Sequence, residues 1–300
     1  MIPFVRQDIV EYGVRETLTP LIHRVIANNP GPFTYTGTGT FIVGHDRPGT
    51  GVAVIDPGPA DEAHLAALLD AVAGRTVSHV LATHTHSDHA PLARPFARAT
   101  GATIWAARPP MAESHASGSL DEADDAAFAP DHVVTSGERL SGDGWTLEVV
   151  ATPGHASNHL ALALIEENAL FCGDHVMGWS TTVVAPPDGD MADYMRSLDT
   201  VIARGFGTLW PTHGPPISEV GPFLAAYREH RLARERGILE RLASGDRTIP
   251  AIVEALYAQV DSRLWPAAGL SVQAHLIKLV AEGRAVADPA PTLEAHYAPA

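Results

Sequence analysis

Short apolar runs, separated by glycine and proline, fill the first two thirds of the chain. Each has the length of a buried strand, and they lie at residues 51–55, 79–82, 146–151, 169–173 and 208–211. Two intervening segments, residues 61–74 and 191–205, carry apolar side chains at helical spacing and predict amphipathic helices. Strands that alternate with helices predict an α/β (α+β) protein whose sheets are covered by helices.

A helical pattern replaces these runs near residue 220. We predict a long helix that ends at Gly245, two shorter helices over Thr248–Val260 and Gly269–Glu282, and a short strand over Arg284–Ala287. Such an arrangement is typical of a winged-helix module, so the predicted domains are residues 1–220 and 221–300. Because the third helix carries only His275 and Lys278 as cationic candidates, we favour packing or a homodimer contact over nucleic-acid binding for this module.

Residues 107–143 resemble neither region, because they combine Arg-Pro-Pro, a Ser- and Gly-containing stretch and the acidic run Asp-Glu-Ala-Asp-Asp. We interpret them as a long surface excursion with a helix around Leu120–Phe128. A solvated insertion and a lid over the active site are the two interpretations that remain open.

The charge distribution narrows the class of protein. The net charge is −15, and residues 1–220 hold all of the excess, with 11 basic and 26 acidic residues. This argues against a broad basic surface for nucleic acid but leaves a local site open. Charges at Arg6, Asp8 and Glu11 stand where a signal peptide would be apolar, and no apolar run has the length of a membrane helix. We therefore expect a cytoplasmic protein without membrane contact.

The unusual part of the composition is its histidine content. The chain has sixteen histidines but one cysteine, Cys172. Four candidate metal ligands, His84, His86, Asp88 and His89, lie within six residues directly after an apolar run. In an extended segment, residues two apart point to the same side, so the first three can converge. A turn at Ser87–Asp88 would aim His89 at a neighbouring position. One segment can thus supply two adjacent metal ions.

Three further candidate ligands end strand-like runs. His155 follows the turn Pro153-Gly154, Asp174 follows Gly173, and His213 lies in Pro-Thr-His-Gly. In this order, the motifs HTHSDH, PGH, GD and THG resemble those of the metallo-β-lactamase superfamily over roughly residues 20–220. Asp56-Pro57-Gly58 stands where that superfamily has its structural aspartate.

The resemblance implies a four-layer αββα sandwich with a small C-terminal winged-helix domain and a dinuclear site at one edge of the sheets. His84, His86 and His155 would bind one ion, Asp88, His89 and His213 the other, and Asp174 would bridge both. Asp56 would hold the HTHSDH loop by hydrogen bonds, and Cys172 would be a strand residue rather than a ligand. Imidazole and carboxylate ligands suit two Zn²⁺ ions, with Mn²⁺ or Fe²⁺ as alternatives.

The implied chemistry is metal-dependent hydrolysis. A water between two zinc ions ionises near neutral pH and attacks a carbonyl or phosphoryl centre, with Asp88 orienting the nucleophile. The fold alone does not choose a substrate. We predict a small ester, thioester or lactone. The alternative, cleavage of single-stranded RNA, follows from a resemblance of nearly the whole chain to the β-lactamase-like protein 2 group. A metal-binding scaffold without catalysis is a third hypothesis.

Five further residues are candidates for substrate contact or support. A nuclease needs aromatic and basic side chains near its metals, and the segment after Asp174 offers Trp179, Tyr194 and Arg196. His159 and His175 lie close in sequence to His155 and Asp174, and each is a candidate to support a ligand or donate a proton. Local packing is the alternative interpretation for all five.

Overall fold

Two facing β-sheets make up the centre of the computed structural model, which describes residues 1–7, 9–110 and 128–300. The first sheet has seven strands in chain order: β1 (Arg15–Thr17), β2 (Ile22–Ile26), β3 (Gly39–Val43), β4 (Gly51–Ile55), β5 (Thr76–Leu81), β6 (Thr103–Ala106) and β7 (His132–Val133). Strands β1 to β4 pair antiparallel, and β4 to β7 pair parallel.

The second sheet has five strands. Their spatial order is β12 (Thr208–Pro211), β11 (Ala169–Gly173), β10 (Leu160–Leu164), β9 (Trp145–Ala151) and β8 (Arg139–Gly142). Neighbours pair antiparallel except β11 and β12, which are parallel. Because β10 runs antiparallel to both β9 and β11, the chain leaves β9, β11 and β12 at one common edge.

Alternating side chains of the first sheet enter two different cores. In β3, Phe41 and Val43 pack between the sheets with Leu147, Leu162 and Phe171 of the second sheet, whereas Ile42 faces the opposite side. This follows from the two-residue period of a strand, and it explains why strands buried on both faces read as continuous apolar runs.

Helices close the outer faces of both sheets. The first sheet is covered by α1 (Glu62–Ala71) and α2 (Ala93–Thr100), through side chains such as Leu68 and Phe96. The second sheet is covered by α3 (Met191–Arg204) and the start of α4 (Val220–Ala243), through Leu198 and Phe223. The four layers confirm the predicted αββα fold class.

The C-terminal region forms a separate apolar cluster around α5 (Ile249–Leu256), α6 (Trp265–Ala281) and the antiparallel pair β13 (Ala285–Asp288) and β14 (His296–Pro299). Helix α4 reaches both cores, since Phe223 and Tyr227 pack over the second sheet and Ile238 and Leu242 pack in the C-terminal cluster. The boundary at residue 220 coincides with the start of α4 and stays a prediction.

Several predicted element limits differ from the structure. Helix α5 stops at Leu256 rather than Val260, and α6 begins at Trp265 rather than Gly269. Pro266 lies in the first turn of α6, where its missing N–H costs nothing, although in the sequence it reads as a break. Strand β14 was not predicted, because Pro299 and the short run His296–Pro299 give no strand pattern.

The interpretation of residues 107–143 as one surface excursion is wrong at its C-terminal end. Strands β7 and β8 lie there and form one edge of each sheet. Their runs of two and four residues are too short to carry a period-2 signal. The predicted helix around Leu120–Phe128 falls outside the described residues except for Phe128, and so do residues 111–127 of the segment for which a lid was one interpretation. No helix in the described part of the chain is long and apolar enough to cross a membrane.

Candidate metal centre

Seven candidate ligands meet where the strands end. Strand β5 leads to His84, β9 to His155, β11 to Asp174 and β12 to His213. The ligand atoms form three groups in which all members lie within 4.8 Å of one another: His84, His86 and His155; His84, His89 and Asp174; Asp88, His89 and His213. Every predicted ligand of the seven is therefore brought to one place, and the groups share members.

The first group presents three ring nitrogens to a common point. His86 Nδ1 lies 2.9 Å from His84 Nε2 and 3.1 Å from His155 Nε2. His155 Nδ1 lies 2.7 Å from the Val183 carbonyl, which can only accept, so Nδ1 carries the proton and Nε2 keeps its lone pair. Thr83 Oγ1, 3.0 Å from His84 Nδ1, orients the second ring. Lone pairs that converge in this way suit a cation.

In the group of Asp88, His89 and His213, one carboxylate faces two imidazoles. Asp88 Oδ2 lies 3.1 Å from His213 Nε2 and 3.4 Å from His89 Nε2. The outer nitrogen of His213 is 3.2 Å from the Gly37 carbonyl, which again assigns the proton to Nδ1. His89 Nδ1 lies 3.0 Å from Asp56 Oδ2. Each ring is thus turned so that Nε2 faces the acidic side chains.

Asp174 lies between the group of His84, His86 and His155 and the group of Asp88, His89 and His213. Its Oδ2 is 3.8 Å from His155 Nε2 and 3.5 Å from His213 Nε2, and its Oδ1 is 3.6 Å from His89 Nε2. A register shift at the end of β11 and a positive φ of 52° at Gly173 turn the chain just before it. A Cβ at residue 173 would lie 2.6 Å from His159 Nε2, so glycine permits this close approach.

The protein's own charges divide the centre. Burial, together with neighbouring histidines, holds the pKa of His84 well below its usual value and lowers that of His86 to about 3. Burial also opposes protonation of His213, but Asp174 and Asp88 outweigh it and raise the pKa to about 10. The carboxylates likewise raise the pKa of His89, despite its burial. His84 and His86 thus favour the neutral form, whereas His89 and His213 are ion-paired with carboxylates.

Two buried polar atoms support the fit of a metal ion. His89 Nε2 and Asp174 Oδ1 make no hydrogen bond to any residue that the structure describes. An unsatisfied buried donor or acceptor is costly, and native structures avoid it unless a ligand or water completes the site. The donor set of imidazoles and carboxylates, with outer nitrogens already engaged, is the kind that borderline divalent cations take.

Asp56 links the segments that carry the ligands. It is fully buried, and its Oδ1 accepts from the Thr83 backbone N–H at 2.7 Å. Its Oδ2 accepts from the hydroxyls of Thr83 and Thr212, both at 2.9 Å, and lies beside His89. A single carboxylate therefore ties the loop after β5 to the residue before His213.

The two additional histidines are buried. His159 Nε2 accepts from the Asp174 backbone N–H at 3.1 Å, and its Nδ1 lies 2.8 Å from Thr152 Oγ1. His159 therefore supports Asp174 with both ring nitrogens engaged, and its contact with a substrate stays a prediction. His175 is fully buried against Tyr194, with ring centroids 5.0 Å apart. Its burial agrees with the alternative interpretation of local packing.

The other three candidates fare differently. Tyr194 is fully buried and its hydroxyl donates to the His175 carbonyl at 2.8 Å, which agrees with the alternative interpretation of local packing. Arg196 lies on the outer surface of α3 and pairs with Asp193. Trp179 is half-buried, stacks on Tyr35 with centroids 4.8 Å apart, and lies beside Gly214, next to His213. Trp179 is the candidate that the structure leaves beside the centre.

Sequence reasoning missed two kinds of supporting residue. Thr83 and Thr212 each directly precede a ligand, a signal that was available in the sequence. Val183 and Gly37 act through backbone carbonyls, which carry no side-chain signal. Cys172 lies in the apolar core, and its thiol donates to the Val176 carbonyl.

Comparison with known proteins agrees with this geometry. Residues 37–213 match the model of the metallo-beta-lactamase superfamily, and residues 248–290 match that of the beta-lactamase associated winged helix domain. The chain therefore belongs to the metallo-beta-lactamase superfamily and is a metal-dependent hydrolase of that class. The predicted winged helix is confirmed.

Individual relatives span most of the chain. A beta-lactamase-like protein 2 homolog of Caenorhabditis elegans is 32% identical over 272 residues, covering 89% of this chain and 87% of the relative. An atrochrysone carboxyl ACP thioesterase of Pseudocercospora fijiensis is 29% identical, covering 85% and 72%. The crystal structure of a beta-lactamase domain protein from Burkholderia ambifaria superposes with a TM-score of 0.81 at 22% identity, covering 100% and 97%, which shows the shared fold.

Proposed function

We propose that the chain is a dinuclear zinc hydrolase that cleaves a small ester, thioester or lactone. One observation carries this proposal. The carboxylate of Asp174 has the group of His84, His86 and His155 on one side and the group of Asp88, His89 and His213 on the other. A carboxylate with one group of nitrogens near each side can serve two cations at once. We also propose a cytoplasmic location and a homodimer.

The proposed ligands follow the two groups. His84, His86 and His155 would hold the first ion, Asp88, His89 and His213 would hold the second, and Asp174 would be available to both. When bound, two zinc ions supply a strong nucleophile from water at neutral pH and polarise the carbonyl oxygen of the substrate. Thr83, Val183 and Gly37 keep the ring nitrogens of His84, His155 and His213 in the required orientation.

Asp88 is the proposed proton acceptor. Its side chain is 17% exposed, against 4% for Asp174, so it is the carboxylate of the set that water and substrate can reach. Its charge is secured by His89 and His213, which hold the pKa of Asp88 well below its usual range although burial opposes this. An ionised, accessible carboxylate can orient the attacking water, accept a proton from it and then pass that proton to the leaving group.

The surroundings of the centre favour a carbonyl substrate over a polyanion. The two buried arginines that reach ligand-bearing segments are engaged, because Arg24 donates to the Gly214 carbonyl and Arg231 to the Thr182 carbonyl. Arg196 pairs with Asp193 at the surface. These guanidinium groups are thus not directed at a phosphate. The thioesterase named among the relatives supports the same class of substrate.

A side-by-side turnover assay tests the proposal. The purified protein with two equivalents of zinc would be given activated esters, thioesters, lactones, a phosphodiester and labelled single-stranded RNA. We expect turnover of at least one carbonyl substrate, and its loss in His86→Ala. RNA cleavage that disappears in His86→Ala, without carbonyl turnover, would replace this proposal with the alternative of an endoribonuclease.

A further inference from the structure

Helix α4 touches the segment that supports two of the proposed ligands. This segment, residues 180–184, passes between α4 and the metal centre. On one side, the Val183 carbonyl lies 2.7 Å from His155 Nδ1. On the same side, Thr182 Oγ1 donates to the Asp174 carbonyl at 2.8 Å. A shift of the segment would therefore move both His155 and Asp174.

The other side of segment 180–184 is held by two side chains of α4. The Tyr227 hydroxyl oxygen accepts from the Thr182 N–H at 2.6 Å and lies 3.0 Å from Thr182 Oγ1. The Arg231 guanidinium donates to the Thr182 carbonyl. Both backbone polar groups of Thr182, its N–H and its carbonyl, thus bond to side chains of α4.

The burial of Arg231 indicates that this contact is specific. Arg231 is 3% exposed, and its guanidinium lies over the Tyr194 ring, 4.9 Å from the centroid. Placing a charge in such a position is costly, and Arg231 Nε has no hydrogen-bond partner among the described residues. Within the described part of the chain, its hydrogen bond goes to a carbonyl rather than to a carboxylate. Packing alone would be achieved by an apolar side chain of similar length.

We propose that Arg231 and Tyr227 are positioning residues that set the geometry of His155 and Asp174 through segment 180–184. This inference rests on the proposed metal ligands. The inference assigns a role in metal binding to α4, the long helix that leads into the winged-helix region. Residues that orient metal ligands from outside typically change metal affinity by about 10–100-fold when they are removed.

Arg234 supplies a matched control on the same helix. It too donates to a carbonyl, that of Leu256 at 3.1 Å, and its guanidinium lies 3.9 Å from the centroid of the Tyr257 ring. These contacts point into the C-terminal region instead of toward segment 180–184. Arg231→Met and Arg234→Met each remove one guanidinium from α4. The first substitution removes the contact with segment 180–184, and the second removes a contact with the C-terminal region.

The experiment is competition for zinc against a chromophoric chelator, with the absorption spectrum of the Co²⁺-substituted protein as a second readout. We expect Arg231→Met to bind at least one ion about 10–100-fold more weakly and to alter the Co²⁺ bands. Arg234→Met should match the wild type in both, even if its melting temperature falls. Equal zinc affinity in all three proteins, or equal weakening in both variants, would overturn the inference.

Tyr227→Phe decides the matter if Arg231→Met does not fold. This substitution removes the Tyr227 hydroxyl that contacts segment 180–184 and keeps the ring. We therefore expect zinc binding to weaken several-fold. Unchanged affinity and spectrum in Tyr227→Phe would then count against the inference. A wild-type protein that takes up no zinc would instead overturn the proposed function, and with it this inference.

Discussion

Two buried histidines in different parts of the molecule behave in opposite ways. His89, in the metal centre, is fully buried and faces Asp88, Asp174 and Asp56, and these carboxylates raise its pKa despite burial. His64, in α1, is 3% exposed and lies 3.0 Å from the Thr40 hydroxyl. Burial lowers the pKa of His64 to about 4. The first ring belongs to a charged site, and the second is a neutral packing residue.

The contrast shows what separates functional from structural histidines in a chain that holds sixteen. Burial does not separate functional from structural histidines, because His159, His175 and His275 are as buried as the proposed ligands. Four of the five histidine ligands, His84, His89, His155 and His213, have one ring nitrogen held by a neighbouring residue and the other directed at the candidate centre. Four variants test this comparison.

Asp174→Ala should have the largest effect. Because its carboxylate lies between both ligand groups, its removal should release both ions and lower turnover by about 10³-fold or more. Metal analysis by mass spectrometry and steady-state kinetics measure the two losses. Two ions retained with unchanged activity would contradict the assignment of the centre.

Asp56→Asn should have an intermediate effect. The amide nitrogen cannot accept the hydrogen bonds that Thr83 and Thr212 donate to Oδ2, so the loop after β5 and the residue before His213 would lose their link. We expect zinc affinity about 10–100-fold weaker. Asp61→Asn is the control, because Asp61 caps α1 and accepts from backbone N–H groups there. Equal zinc binding in both variants would disprove the linking role.

Trp179→Ala should affect substrate binding rather than the metals. The substitution removes an aromatic wall beside Gly214, and a ring contact of this kind with a bound substrate would be worth about 1 kcal/mol. We expect KM to rise about fivefold with two ions still bound. Trp179→Phe, which keeps a ring in place, should lie close to the wild type. A change in metal content in Trp179→Ala would assign it to the metal centre instead.

His64→Gln should have the smallest effect on activity and a visible one on stability. Since the folded pKa is about 4 and the ordinary value is 6.5, the unfolded chain binds a proton between these pH values and the folded chain does not. The wild type should therefore lose roughly 3 kcal/mol of unfolding free energy through His64 as the pH falls from 6.5 to 4.

Urea unfolding of wild type and His64→Gln at pH 7.5 and pH 4.5 measures this difference. Comparing the two chains cancels the loss of metal at low pH. We expect the variant to lose less stability than the wild type over this interval. An equal loss in both would mean that His64 takes up its proton in the folded state.

The sequence predicted the ligands better than their surroundings. The order HTHSDH, PGH, GD and THG places metal-ligating residue types at strand ends, and strand runs are readable when both faces are buried, as in β4 and β11. Edge strands β7 and β8 were missed because their two and four residues carry no pattern. The limits of α5 and α6 shifted because a proline can begin a helix as well as end one.

Local order along the chain thus determined the strand ends, the candidate ligands and the superfamily, because each motif places particular side chains directly after a strand-like run. The tertiary structure decided which other residues serve the centre. Thr212 reaches Asp56 across 156 positions, and Arg231 reaches Thr182 across 49. Tyr194 and His159, which looked available for substrate, are buried by helix and strand packing. Burial and hydrogen-bond partners arise from contacts between distant segments, and these form only when the layers come together.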